Sequence, residues 1–144
     1  MYEKFGQFID GSWSPSSNKE TYEVINPATE EVLGHASKAT PEDVDRALKS
    51  AEKGLAVWKK ITPWERSYIL RRIADKLREK KDVLAKWMTL ENGKPLAEGV
   101  GETNGAADIF EWNAEETKRI FGQTIESRFE DTRVHVYYQP VGVV

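Results

Sequence analysis

Two copies of one helix-opening pattern, in the middle of the chain, constrain its fold more than any other feature. Thr40-Pro41-Glu42-Asp43 places a hydroxyl at the N-cap, proline at the first helical position and carboxylates in the first turn. Thr62-Pro63-Trp64-Glu65 repeats this pattern with the spacing of a full capping box, in which the threonine and glutamate side chains accept hydrogen bonds from N–H groups that the first turn leaves unpaired. Proline is favoured at the first position because an N–H there would have no helical partner. Each segment therefore predicts the start of a helix.

Behind both starts, apolar residues recur at three- and four-residue spacing, which is the period of one helix face. The predicted buried faces are Val44, Ala47, Leu48, Ala51 and Leu55 in the first helix, and Ile69, Leu70, Ile73 and Leu77 in the second.

Two more helical stretches follow. One ends at Asn92-Gly93, where glycine suits a left-handed C-terminal cap. The other is predicted from about Glu102 to Phe121, with Ala106, Ile109, Phe110 and Ala114 facing inward and Gly122 as its stop.

Strand patterns lie at both ends of the chain. Asp10-Gly11, between Phe8-Ile9 and Ser12-Trp13, predicts a tight hairpin, and Asn26-Pro27 lies in the turn of a second one. Residues 133–138 are rich in β-branched and aromatic side chains and predict a strand. The fold class is thus an α+β piece with N-terminal hairpins, about four helical segments and a C-terminal strand.

The composition excludes several classes of function. The chain has 21 basic and 24 acidic side chains, interspersed, so no basic stripe is available for nucleic acid. No apolar run approaches the roughly 20 residues of a membrane span, and the polar N-terminus lacks a signal-peptide core. With no cysteine there is neither a disulfide nor a thiol nucleophile, and a cytoplasmic protein is the expectation.

Other apparent motifs favour structural roles. Gly99-Val100-Gly101 and Gly105 do not have the G-x-G-x-x-G spacing, and no strand precedes them, so a flexible loop and helix start is predicted there. His35 and His135 have no ligand partner at suitable spacing and are expected at strand surfaces. The five tryptophans are predicted to be packing anchors. Because Val143 and Val144 would leave a strand interrupted, we expect the chain to be part of a larger fold.

Six phrases in order resemble the N-terminal part of the NAD(P)-dependent aldehyde dehydrogenase superfamily. They are Phe8-Ile9-Asp10-Gly11-Ser12-Trp13, Val24-Ile25-Asn26-Pro27-Ala28-Thr29, Glu42-Asp43-Val44-Asp45-Arg46-Ala47, Trp64-Glu65-Arg66, Leu90-Glu91-Asn92-Gly93-Lys94-Pro95 and Gln139-Pro140-Val141-Gly142-Val143-Val144. A further stretch around Phe110-Glu111-Trp112 looks most like the succinate-semialdehyde branch.

The resemblance implies an α/β enzyme that oxidises an aldehyde to a carboxylic acid with NAD or NADP. In this family a cysteine attacks the aldehyde, a glutamate activates the water that hydrolyses the resulting thioester, and an asparagine stabilises the oxyanion. All of these residues follow position 144 in the family's order. The chain is therefore expected to hold no catalytic and no cofactor-binding residue.

The same resemblance implies three lesser roles. A monovalent cation would be held by the carbonyls of Val24 and Ile25 with Glu91, although a capping or paired carboxylate is the alternative for Glu91. The outer substrate tunnel would be lined by Glu102, Ala106, Ile109 and Phe110, with core packing as the alternative for the last two. The strand at 133–139 would belong to the element that forms a homodimer or homotetramer.

In this scheme residues 1–132 pack on the cofactor-binding domain, and residues 133–144 begin the oligomerisation strand and lead into that domain. The partners are then a small aldehyde and further subunits, with no nucleic acid and no membrane. A non-catalytic α+β interaction module derived from the same family is the alternative.

Overall fold

The computed structural model describes residues 6–144, so the polar N-terminus considered above lies outside the described residues. The strands are β1 (Gln7–Ile9), β2 (Ser12–Ser14), β3 (Thr21–Ile25), β4 (Val32–Ser37), β5 (Gln123–Glu126) and β6 (Arg133–Val136). The helices are α1 (Pro41–Trp58), α2 (Pro63–Glu79), α3 (Lys81–Asn92) and α4 (Leu96–Glu116), and a short 3-10 turn (Thr117–Arg119) follows α4. This arrangement confirms the α+β class.

Both predicted helix starts are complete capping boxes. The backbone N–H of Asp43 donates to the Thr40 hydroxyl over 3.2 Å, and the carboxylate of Asp43 accepts from the Thr40 backbone N–H over 3.0 Å. Thr62 and Glu65 repeat the arrangement at the start of α2. A polar N-cap stabilises a helix by roughly 0.5–2 kcal/mol, so these local contacts fix where α1 and α2 begin.

The strands form three separate antiparallel pairs, β1–β2, β3–β4 and β5–β6. Asp10 and Gly11 have φ of 54° and 78°, which a two-residue turn matching the strand twist requires. The β3–β4 register shifts between Val24 and Ile25, so a bulge lies next to the turn at Asn26. Both N-terminal hairpins are thereby confirmed.

The C-terminal region differs from the expectation in two ways. β6 ends at Val136, and β5, which the sequence did not predict, pairs with it. β5 has only Ile125 as an apolar residue, so its extended shape comes from pairing with β6 rather than from its own pattern. Residues 137–144 adopt no regular structure, because among the described residues they have no strand to pair with.

Helix α4 starts earlier and ends earlier than predicted. It runs from Leu96 to Glu116, so the glycines at positions 99, 101 and 105 are helical and the expected loop is wrong. The reason lies in packing: Gly99 is so close to α3 that an added Cβ would lie 2.9 Å from the Ala85 carbonyl oxygen. The missing side chain lets the two helices approach, and this contact outweighs the low helix propensity of glycine.

Small side chains form the core of the α2–α3–α4 unit. Helix α4 packs against both α2 and α3, and the fully buried apolar residues are Ala74, Ala85, Ala107 and Ala114. Ion pairs reinforce the α2–α4 contact, with Arg78 reaching Asp108 over 2.8 Å and Glu111 over 2.6 Å. The core is therefore a close helix–helix contact rather than a cluster of large aliphatic groups.

The large apolar residues lie mostly outside this core, which corrects two predictions. Val44 and Leu48 of α1, and Ile69 and Ile73 of α2, are exposed rather than buried. Four of the five tryptophans are not internal anchors either, with Trp64 72% and Trp112 71% exposed, and only Trp87 is half-buried. The apolar residues of α1 and α2 do follow the helical period, but no element among residues 6–144 covers the faces that they form.

Candidate functional site

The most strongly bonded polar group in the described structure is the Asp43 carboxylate at the start of α1. It is 1% exposed and accepts from the Ser17 hydroxyl over 2.6 Å and from the Ser17 backbone N–H over 3.1 Å. Thr40, the Gln7 side-chain amide and Arg46 complete its partners. The Ser17 hydroxyl, and next the Thr40 backbone N–H, hold the pKa of Asp43 far below its usual range.

This carboxylate joins three parts of the chain. Gln7 belongs to β1, Ser17 to the loop after β2, and Asp43 itself to the first turn of α1. The sequence identified Asp43 only as a first-turn acidic residue, because its partners lie 26 and 36 positions away. The role is structural: it orients the first hairpin on α1.

The two segments that contain the predicted cation-site residues lie near each other. Val24 and Ile25 lie at the β3 bulge, and the turn after them approaches the end of α3, where a Cβ on Gly93 would lie 3.1 Å from Cγ of Pro27. Glu91 is exposed and lies two residues before Gly93. No group of three or more His, Cys, Asp or Glu side chains suited to a metal occurs among residues 6–144. The site stays a prediction, resting on two carbonyls and one carboxylate.

The predicted tunnel residues lie along one stretch of α4. Glu102 is exposed and forms an ion pair with Lys94, whose ammonium lies 2.6 Å from the carboxylate. Ala106 and Phe110 are half-buried, and Ile109 is 64% exposed. The neighbouring face of the helix, roughly a quarter-turn away around the axis, carries the buried residues Gly99, Thr103, Ala107 and Ala114.

These positions separate two faces of α4. The buried face holds the helix against α2 and α3, and the face with Ile109 is directed away from that contact. Ile109 is therefore not a core residue among the described residues, while Phe110 lies between the two faces. The role in a tunnel remains a prediction.

His35, His135 and the glycines of α4 do not form a catalytic or dinucleotide-binding arrangement with the described residues around them. His35 of β4 is exposed and opposite Glu23, and His135 of β6 contacts the Thr124 hydroxyl across the hairpin. The glycines of α4 lie inside a helix, so they form no turn that could cradle a dinucleotide pyrophosphate. In the described part of the chain, no helix is long and apolar enough to cross a membrane.

Sequence comparison gives the class of protein to which these elements belong. The aldehyde dehydrogenase family profile matches residues 13–144, which is most of the chain. The chain belongs to the aldehyde dehydrogenase family.

Individual relatives agree with this assignment. The chain is 44% identical over 136 residues to the glutarate-semialdehyde dehydrogenase of Pseudomonas aeruginosa, covering 94% of this chain and 28% of the relative. It is 43% identical over 135 residues to an NADP(+) succinate-semialdehyde dehydrogenase of Escherichia coli, again covering 94% of this chain and 28% of the relative. The chain thus spans little more than a quarter of the length of these relatives.

A solved structure gives the same result in three dimensions. The succinate-semialdehyde dehydrogenase from Burkholderia pseudomallei superposes with a TM-score of 0.91 at 39% identity, covering 96% of this chain and 29% of that structure. The hairpins and helices described above are therefore arranged as in an aldehyde dehydrogenase.

Proposed function

We propose that this chain is the N-terminal portion of an NAD(P)-dependent aldehyde dehydrogenase that oxidises an aldehyde, and in particular a semialdehyde, to a carboxylic acid. The observation that carries the proposal is the family match over residues 13–144. The relatives named for glutarate and succinate semialdehydes support the narrower substrate class.

The chemistry is proposed to depend on residues outside this chain. The sequence has no cysteine, so the nucleophile of the proposed thioester route is not among its residues. The α4 glycines do not fit a dinucleotide, because they are helical and Gly99 packs on Ala85. NAD or NADP is therefore assigned to the whole enzyme, and no step is assigned to this chain.

The chain alone is expected to be inactive. Purified 144-residue chain, mixed with succinate or glutarate semialdehyde and either NAD or NADP, should produce no NAD(P)H, because it has no thiol to attack the aldehyde. The Escherichia coli relative serves as the positive control under the same conditions. Aldehyde-dependent NAD(P)H formation by the isolated chain would contradict the proposal.

Sequencing the gene past codon 144 separates this proposal from the alternative of an interaction module. A continuing reading frame with a glutamate and a cysteine further along would support the enzyme. A stop codon immediately after Val144 would favour the module. Exposed apolar residues such as Val44 and Leu48 are compatible with both the enzyme and the interaction module, since in either protein another surface would cover these residues.

We also propose that residues 1–132 pack on the cofactor-binding domain and that 133–144 begin the oligomerisation strand. The exposed side chains of Tyr137 and Tyr138, next to the hairpin β5–β6, support a contact with another subunit. A homodimer or homotetramer is the expected assembly of the whole enzyme. Light scattering that finds the whole enzyme monomeric at high concentration would reject it.

The tunnel proposal predicts a change in substrate preference. Replacing Ala106 by Trp in the whole enzyme should raise KM for a bulky aldehyde several-fold and leave KM for a small one unchanged, because the indole would narrow only the outer passage. Ala107→Trp is unsuitable as a control, since Ala107 is fully buried in the helix contact. Trp112→Ala, on an exposed part of α4, is the better control. An unchanged ratio of KM values in Ala106→Trp would remove Ala106 from the tunnel.

The cation site is proposed at Val24, Ile25 and Glu91, supported by the bulge at Val24 and the contact between Pro27 and Gly93. Crystals of the whole enzyme grown with rubidium or thallium provide the measurement. Anomalous density between these groups is expected, and its absence would exclude the site.

A further inference from the structure

We propose that a polar cleft between the first hairpin and α1 binds a small molecule through a phosphate group. This hairpin cleft has a volume of about 340 Å³. One wall carries Ser12 and Ser14 of β2, and the other carries Arg46, Lys49 and Lys53 of α1. The proposal does not depend on the function proposed above.

The hairpin presents its hydroxyl-bearing face to the helix. Gln7 and Ser14 are cross-strand partners, as are Ile9 and Ser12, so these four residues lie on one face of the hairpin. The side-chain amide of Gln7 donates to Asp43 of α1, which turns that face toward the helix. Ser12 and Ser14 thereby lie on the cleft wall, and the Ser12 hydroxyl donates to the Ile9 carbonyl over 3.3 Å.

The cations come from one face of α1. Positions 46, 49 and 53 follow the three- and four-residue spacing that brings side chains together on a helix surface. Two of the carboxylates on the same helix, Asp45 and Glu52, do not line the cleft. The part of α1 that lines the cleft is therefore basic, although the whole chain has a net charge of −3.

Two of the three cations have no carboxylate partner. Arg46 forms an ion pair with Asp43 over 3.1 Å, but Lys49 and Lys53 form no ion pair among residues 6–144. Asp10, in the hairpin turn, accepts a hydrogen bond over 3.2 Å from the hydroxyl of Ser50, the residue after Lys49 on α1. The cleft thus has two lysines without an ion pair and one carboxylate held by Ser50.

Phosphate matches the two lysines. Its several oxygens can accept hydrogen bonds from the ammonium groups of Lys49 and Lys53 and from the Ser14 hydroxyl at the same time, and charge-assisted hydrogen bonds are the strong ones. The Asp10 carboxylate would repel a second anionic group but can accept from a hydroxyl of the ligand. A phosphomonoester that carries a hydroxyl therefore fits the whole cleft better than inorganic phosphate does.

Titration of the full chain at low ionic strength tests the proposal. Inorganic phosphate and glycerol phosphate are the two probes, followed by NMR chemical shifts or calorimetry. We expect saturable binding of both, tighter for glycerol phosphate, and weakening as salt is added. If only inorganic phosphate binds, the cleft is a free-phosphate site; if neither saturates, the proposal is wrong.

Three variants locate the binding. Lys49→Gln combined with Lys53→Gln should raise the Kd about tenfold or more, as expected for the loss of two charge-assisted contacts. Asp10→Asn should tighten inorganic phosphate several-fold, and asparagine keeps the turn because it tolerates the positive φ at this position. Lys86→Gln, which removes an exposed lysine of α3 outside the cleft, is the matched control. Equal weakening in Lys86→Gln and in the double variant would overturn the assignment to the cleft.

Discussion

Replacing Gly99 by valine is expected to lower the free energy of unfolding of this chain by about 3 kcal/mol, toward the upper end of the usual cost of overpacking. An added Cβ at this position would lie 2.9 Å from the carbonyl oxygen of Ala85 and 3.2 Å from its Cα. Both atoms are backbone, so the strain cannot be relieved by a side-chain rotation. The helices α3 and α4 would have to separate, which opens the contact around Ala85.

Replacing Gly99 by alanine distinguishes the effect of packing on stability from the effect of helix propensity. In an exposed helix interior, alanine is about 1 kcal/mol more favourable than glycine. Gly99→Ala should nevertheless destabilise the chain, because the clash begins at Cβ. Gly101→Ala and Gly105→Ala are the matched controls, since nothing lies within 4 Å of a Cβ at either position.

Urea unfolding of the three alanine variants is the measurement. The two controls should gain roughly 0.5–1 kcal/mol, and Gly99→Ala should move in the opposite direction. If all three variants are stabilised alike, α4 does not approach α3 as closely as described.

The second large effect is a loss of stability at low pH that depends on Asp43. The hydroxyl of Ser17 and the backbone N–H of Thr40 lower the pKa of Asp43 in the folded chain, so the unfolded chain binds this proton more readily. The stabilisation from this carboxylate is complete above the ordinary aspartate pKa of about 3.9 and is lost as the pH falls toward the folded-state value. Thermal unfolding midpoints should therefore fall steeply below about pH 4.

Asp43→Asn should remove much of this pH dependence and lower stability already at neutral pH. The amide nitrogen of asparagine would face donors from Ser17, Thr40 and Gln7, which leaves buried groups without an acceptor. Glu65→Gln, in the second capping box, is the control. Glu65 is exposed and, among residues 6–144, hydrogen-bonds only to Thr62, so its substitution should matter far less. Equal effects of the two substitutions would show that Asp43 is only a helix cap.

The features that the sequence predicted well are those decided by neighbours along the chain. Thr40 with Asp43, and Asp10 with Gly11, form a cap and a turn within four residues, and both are present. Gly93 ends α3 with φ of 82°, as its position after Asn92 indicated. In these cases local chemistry and the final fold agree, so a pattern is sufficient.

The errors occur where distant packing decides. Gly99 has low helix propensity, and its close contact with Ala85, which lies 14 positions away along the chain, gave no signal in the local pattern. The periodicity of α1 identified an apolar face through Val44 and Leu48, but periodicity cannot say what covers a face. β5 gave no usable signal, because a single Ile125 among polar residues becomes a strand only through its partner.

The candidate sites likewise combine residues that the sequence could identify with contacts that only the folded chain shows. The family resemblance named Val24, Ile25 and Glu91, and the structure adds the bulge and the contact at Gly93 that bring their segments near each other. The hairpin cleft could not be found from spacing, since Ser12 and Lys49 meet only after the hairpin folds onto α1. Sites built from separate elements require the tertiary structure.

The small-residue contact among α2, α3 and α4 also bears on how the chain folds as it leaves the ribosome. These helices are consecutive, so their contacts close only short loops and can form early. At that stage the aliphatic groups of Ile69 and Ile73 remain in water, because the contact that orders the helices does not use them. We therefore expect chaperones that recognise exposed aliphatic side chains to be able to bind α2 even after α2, α3 and α4 have packed together.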